Sequence, residues 1–496
     1  MKTTYQHRAL NSTVKGLVEQ DSGLVKFLGV PYGTVSERFA RPQPIESWQT
    51  SLDCTRHGPR CPQTVVDVGH LLRIPLDQSL PVEHEDEFGC LNLDVVLPKE
   101  SLAQHAKDLP VLAWIHGGSQ ANTFGSAASG VCDMTTIVKH AVAVEKPIIA
   151  VSIQYRLNIF AFGDSSTMAN LALEDQALAL RWIQKHIKDF GGDPERVTLA
   201  GESAGAVYTH AHVAINSPLS QAILSSGSLH LSPPQPPEKA AAMHDLVFKH
   251  LQGSSGHTLK NVPVSELVEA VEKSGIKSWF LKMEPPFKNW RTNTGCAQRI
   301  LISDAVIWRE GIWAMKGDAI TAAFDMAGEH SHELKRMYAI YPERPSSCKI
   351  GALDFINDWK FLLPAESIAQ QWREQGKAAF RCLIDERNPW QPSNGAHHAV
   401  DLVLLFGGFD LSFSPGAQHV AETMRTRWID FIHSGDPWSP QSYFAFGPYG
   451  RCEELPHNGF SLRRRARQLE YLATVDPSLL DKVLVTLAAG RISLNN

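Results

Sequence analysis

Long apolar runs are missing from this 496-residue chain. No stretch approaches the roughly 18 consecutive apolar residues that a membrane-spanning helix needs, so no bilayer span is expected. Excess positive charge is missing too. The chain holds 47 Lys and Arg against 52 Asp and Glu, a formal net charge of −5, which leaves no basic footprint for neutralising phosphates and excludes nucleic acid as a partner. Cysteine is sparse. The eight cysteines form no CxxC pair and no close Cys/His ligand spacing, which argues against a disulfide scaffold and a structural zinc site; most are expected as buried thiols. The amino terminus stays polar and lacks the apolar segment of a secretory signal, so the expectation is a cytosolic chain. There is no internal repeat. The one basic cluster, Arg463, Arg464, Arg465 and Arg467, is expected to be a solvated face without function.

What is present is core-forming material, 43% hydrophobic residues, enough for one large catalytic domain. Apolar β-rich runs alternate with helix-like patterns, which predicts an α/β architecture. The strand candidates are Val111 to Ile115, Pro147 to Tyr155, Val197 to Gly201, Ala222 to Ser226, Arg299 to Ile302 and Phe380 to Ile384. Several are apolar nearly throughout, as strands covered on both faces are. Leu173 to Phe190 carries Leu178, Trp182, Ile183 and Ile187 near a helical period and is closed by Gly191 and Gly192. The proline-rich Ser232 to Pro237 breaks regular structure, and helix-like patterning follows it. A helical cap is therefore expected over roughly 232–298, within a single domain 1–496, with further lid segments within 312–375.

The deciding motif is Val197-Thr-Leu-Ala-Gly201-Glu202-Ser203-Ala204-Gly205. A strand running into G-x-S-x-G and then a helix is a nucleophile elbow, whose small residues permit a sharp turn that lifts the serine hydroxyl out. Upstream, Trp114-Ile115-His116-Gly117-Gly118-Ser119 follows a predicted strand. Glycines there let backbone N–H groups face an oxyanion, and such donors are commonly worth about 3 kcal/mol each. Gly118, Ser119 and Ala204 are the expected donors. His210 and His212 alternate after the elbow, but with no third ligand at suitable spacing and no HExxH they are expected as packed or surface histidines rather than metal ligands.

These residues resemble the type-B carboxylesterase/lipase family, which includes the cholinesterases, and within it a fungal-type branch. The likeness runs through Phe27-Leu-Gly-Val-Pro-Tyr32, Arg38-Phe39-Ala-Arg-Pro42, Cys61-Pro-Gln63, Glu87-Phe-Gly-Cys90, Tyr155-Arg-Leu157, Asn170 to Gln176, Phe190 to Pro194, the elbow, and Ser225-Ser-Gly-Ser228, with Gly435-Asp-Pro437 as a late anchor. It implies an α/β-hydrolase fold: a mostly parallel central sheet with helices on both faces and a helical cap insertion. It also implies a triad in the order Ser, acid, His. His398, in Ala396-His-His-Ala-Val-Asp401, occupies the place of the base, with His397 as its neighbouring alternative. Glu310, before Gly311, occupies the place of the acid, with Asp304 as runner-up. Ser226 matches a serine that supports the triad, and Glu202 lies beside the nucleophile. The implied activity is ester hydrolysis on a small-molecule or secondary-metabolite ester or lactone, with no cofactor and no metal. Acyl transfer or lactone formation on the same triad, and a non-catalytic binding protein of the same fold, are the alternatives. Two departures stand out: the family usually has glycine where Ser119 and Ala399 stand. Cys61 and Cys90 resemble a pair that is disulfide-bonded in secreted relatives, which leaves their state open in a reducing compartment.

Overall fold

A computed structural model describes residues 2–488 apart from 9, 47, 76–77, 104–107, 165, 168, 252–257 and 306–314. Its centre is a 13-stranded sheet. The strands are β1 (Lys2–His7), β2 (Ser12–Glu19), β3 (Leu24–Pro31), β4 (Ser51–Asp53), β5 (Asn92–Pro98), β6 (Leu109–Ile115), β7 (Ile149–Ile153), β8 (Gly192–Glu202), β9 (Gln221–Ser225), β10 (Arg299–Ala305), β11 (Ala378–Ile384), β12 (Tyr443–Phe446) and β13 (Cys452–Leu455). They lie in the order β1-β2-β3-β5-β7-β6-β8-β9-β10-β11-β12-β13, with β4 against β2. Every pairing from β7 through β12 is parallel. The two ends of the sheet are antiparallel, through β1 to β3 and β5 on one side and β13 on the other.

All six strands expected from the sequence form, within a few residues at their ends. Their unbroken apolar character follows from burial on both faces. Val111, Ala113 and Ile115 of β6 enter one core with Val197, Leu199, Ala222 and Leu224. Leu112 and Trp114, alternate residues of the same strand, enter the opposite core with Ala200 and Ile223. A period of two thus separates two apolar layers, each closed by helices.

The expected amphipathic helix spans Leu171–His186, continues as a tighter turn through Phe190, and ends at Gly191 with φ +85°. The described residues of 232–298 include the α-helices Pro237–Lys249 and Val264–Lys273. A third apolar cluster joins Ile320, Phe324, Leu334 and Phe355 to Leu480, Val483 and Leu487 of the C-terminal helix. Among the described residues no helix is long and apolar enough to cross a membrane.

The arginine run corrects an expectation. Arg464 is 5% exposed. It donates to Asp304 at 2.7 Å and Asp385 at 2.6 Å. Arg465 grips Asp358 through two hydrogen bonds, and Arg463 pairs with Asp385 and Glu453. Three of the four arginines therefore tie the C-terminal segment to the sheet and to the helical turn that starts at Asp358 rather than forming a solvated face. Sequence spacing could not show this, because the carboxylates arrive from three distant segments.

Candidate active site

Chain order reverses at β6: β7 pairs on one side of it and β8 on the other. In open α/β sheets such a switch point opens a crevice at the carboxyl ends of the strands. Both motifs singled out in the sequence lie there, the glycine loop after β6 and the elbow after β8.

Ser203 has φ +55° and ψ −120°, a backbone conformation that L residues rarely adopt. Its amide donates to the Ser225 carbonyl at 2.9 Å, and the helix Ala204–Ala214 starts at the next residue. The flanking glycines are required by contact. A Cβ on Gly201 would lie 2.4 Å from the carbonyl of Gly205, and one on Gly205 would lie 2.1 Å from the carbonyl oxygen of Ile115. Gly205→Ala is accordingly expected to cost about 3 kcal/mol or more in urea unfolding and to abolish turnover, because the helix cannot seat against β6. A variant as stable as wild type would disprove this packing argument.

The glycine loop abuts the elbow: a Cβ on Gly117 would sit 2.7 Å from the Glu202 carbonyl and 3.2 Å from Ser203 Cβ. Gly118 has φ +117° and room for no side chain, since its Cβ would meet the Asn122 carbonyl at 2.0 Å. Ser119 takes φ +57° despite its side chain. His116 braces the loop. Its ring stacks on Tyr155 at 4.5 Å, Tyr155 donates back to the His116 carbonyl at 2.7 Å, and burial pushes the imidazole down to about 4. Ser119, Ser203 and Ala204 line one cavity of about 300 Å³.

His398 comes from the loop after β11. Its Nε2 lies 3.2 Å from Glu202 Oε1. Burial, reinforced by His397, lowers His398 to about 3, while burial and the nearby Asp401 raise Glu202 well above the carboxylate range. Burial thus favours the uncharged form of both groups. A neutral imidazole is the form a general base requires. Phe361 packs against its ring at 5.4 Å. His397 is directed elsewhere: it donates to the His398 carbonyl at 2.7 Å and receives a hydrogen bond from Asn388 at 2.9 Å. Ala399 holds φ +68°, the left-handed backbone that glycine adopts without strain.

Glu310 lies outside the described residues. The runner-up, Asp304, is ruled out. Burial alone would raise its carboxyl, but Arg464 and Arg381 more than reverse that, and both oxygens accept from these arginines. It is a structural anchor of β10. Ser226 Oγ is buried with no hydrogen-bond partner among the described residues. The preceding serine carries the contact instead: Ser225 Oγ donates to Asp401 and meets Ser303 Oγ at 2.8 Å. Asp401, whose carboxyl burial raises, was visible as the acid three residues after His398, but its partner on β9 was not.

His210 and His212 are packed residues. His210 Nδ1 accepts from the Leu229 amide, and His212 bonds Ser217 and Gln176. Six of the eight cysteines are buried. Cys61 and Cys90 stand as neighbouring thiols, with Cys90 pushed up first by its hydrogen bond with Cys61 and then by burial.

With this geometry in place, the sequence matches the carboxylesterase family over residues 7–294 and 313–471. The chain belongs to the carboxylesterase family. It is 28% identical to Lipase 1 of Yarrowia lipolytica over 483 residues, covering 94% of each chain. It is also 28% identical to the para-nitrobenzyl esterase of Bacillus subtilis over 468 residues, covering 86% of this chain and 88% of that one. A solved structure titled PNB esterase superposes with a TM-score of 0.72 at 23% identity, covering 95% of this chain and 99% of the other, which establishes the α/β-hydrolase fold. This carboxylesterase is thus a carboxylic-ester hydrolase. The family match passes over 295–312, the segment that holds Glu310.

Proposed function

We propose that this carboxylesterase cleaves small-molecule esters through an acyl-serine intermediate on Ser203, with His398 as general base and Glu310 as the acid that orients it. The observation that supports this most is the backbone of Ser203, held at φ +55° where glycine-lined neighbours leave its side chain at the wall of a cavity. Strain of this kind costs about 1 to 3 kcal/mol and persists where surrounding structure enforces it.

Ser203 Oγ attacks the ester carbonyl as His398 takes its proton. The N–H groups of Gly118, Ser119 and Ala204 receive the oxyanion, and the protonated imidazole returns the proton to the departing alkoxide. Water, deprotonated by the same imidazole, then releases the acid. Glu202, whose uncharged form burial favours, borders His398. The segment 232–298 acts as the cap, contributing Pro233, Gln235 and Lys239 to the cavity wall.

The test is a fluorophosphonate, whose phosphorus is attacked by the activated serine oxygen with loss of fluoride. The expected result is one adduct per chain, on the peptide containing Ser203, with parallel loss of 4-nitrophenyl butyrate hydrolysis. Labelling elsewhere, or full activity after complete labelling, would reject the assignment. Adding an alcohol acceptor during turnover and measuring transesterified product separates hydrolysis from acyl transfer.

A further inference from the structure

The cavity beside Ser203 has two lysines in its wall and, among the described residues, no carboxylate. Lys239 stands at the exposed start of the helix Pro237–Lys249, with Nζ 2.8 Å from Gln235 Oε1. Lys360 is different, because it is only 7% exposed. It sits in a single π-helical turn, Asp358–Leu362, set between the helices Pro345–Asn357 and Leu363–Glu374. Turns of this kind re-aim side chains and recur at functional sites. Here adjacent residues serve the same centre: Phe361 packs on the ring of His398, and Lys360 reaches the cavity beside Ser203.

Among the described residues, the Lys360 ammonium is thinly compensated. It donates to the His230 carbonyl at 3.0 Å, and its ion-pair partner is Asp481 at 3.9 Å. Asp481 is half exposed and already accepts from Trp359. A buried ammonium is expensive unless paired and fully hydrogen-bonded. Burial and the nearby Arg291 lower its pKa against the opposing pull of Asp481. An anion entering the cavity would complete this set. Between the polar groups of the wall, Leu231, Trp279, Phe280 and Leu484 offer apolar surface that suits the carbon chain between such an anion and the ester. Glu202, next to the nucleophile in the chain, does not line this cavity, and burial favours its uncharged form.

We propose that this cavity selects esters that carry a carboxylate elsewhere in the molecule, with Lys360 and Lys239 as the groups that receive it. The inference rests on Ser203 being the nucleophile.

The experiment compares charged and neutral partners in the full chain. Mono(4-nitrophenyl) adipate against 4-nitrophenyl hexanoate puts the carboxylate on the acyl side; 4-acetoxybenzoate against 4-acetoxybenzamide puts it on the alcohol side. The readout is the ratio of kcat/KM for charged over neutral ester. We expect a ratio of about ten or more in one pair, since a site built to bond a polar group discriminates against analogues lacking it. Lys360→Met should lower that ratio about tenfold or more, chiefly through KM, and Lys360→Arg should retain most of it. Lys239→Glu, on an exposed helix start, should lower it several-fold and keeps the test decisive if Lys360→Met does not fold. A wild-type ratio at or below one in both pairs, or ratios unmoved by the substitutions, overturns the proposal and leaves Lys360 as a prop for the His230 carbonyl. Cleavage of neutral esters with refusal of charged ones defeats this inference alone. Failure to cleave any of the four defeats the Ser203 reading with it.

Discussion

Ser203→Ala is expected to lower kcat for 4-nitrophenyl butyrate by on the order of 10⁴- to 10⁶-fold, with the fold intact. The variant removes only Oγ. The alanine Cβ keeps the elbow in its strained φ +55° conformation, and the amide keeps its hydrogen bond to the Ser225 carbonyl. Stability should therefore stay within about 1 kcal/mol of wild type. Ser203→Gly sharpens the interpretation. It should be equally inactive yet more stable by about 1 kcal/mol, because glycine adopts positive φ without steric cost. Parallel kinetics and urea unfolding of both variants read the two effects separately. Residual activity above about one part in a hundred in the alanine variant would mean that the elbow serine does not carry the chemistry.

Acidification from pH 6.5 to 5 is expected to destabilise the fold by on the order of 3 kcal/mol, a large share of a typical stability of about 5 to 15 kcal/mol. The cause lies in buried histidines. His116 and His210 are held down to about 4, and His212 and His398 to about 3, in each case by burial first. An unfolded imidazole titrates near 6.5. Below that pH the unfolded chain binds protons that the folded chain refuses, so stability falls by about 1.4 kcal/mol per pH unit for each such histidine until its folded pKa is reached. Raised carboxyls act with the opposite sign. Glu202, shifted well up by burial, and Asp354, shifted to about 6, take up protons in the folded state first and offset part of the loss. The histidines outweigh them over this window. Urea unfolding at pH 7, 6 and 5 measures the slope, and a stability that is level or rises on acidification would contradict this balance.

Much of the fold was legible because one physical cause writes it into local sequence. Strands buried on both faces must be apolar throughout, and β6, β8, β9 and β10 announce themselves that way. The elbow and the glycine loop were legible for a related reason. Gly201, Gly205 and Gly118 each have a backbone oxygen or carbonyl group within 2.0 to 2.4 Å of where a Cβ would be, so the chain has no alternative residue there. The proposed roles of Ser203, the N–H donors and His398 rest on those motifs and their order.

What the sequence by itself determined is therefore the α/β sheet, the turn that presents Ser203, and the glycine loop beside it, because burial of whole strands demands apolar runs and the closest backbone approaches admit only glycine. Only the tertiary structure decided which charges are spent on architecture and which face the cavity. Asp304 is a plausible triad acid until Arg381 and Arg464 arrive from 77 and 160 residues away. The arginine run resembles a solvated face until Asp304, Asp358 and Asp385 meet it. Lys360 carries no local signal at all, because its direction is set by a π turn and by a C-terminal helix packed across the molecule. Burial and pairing are properties of the assembled chain, and they settle whether a charge anchors a strand, tunes an imidazole or waits for a ligand.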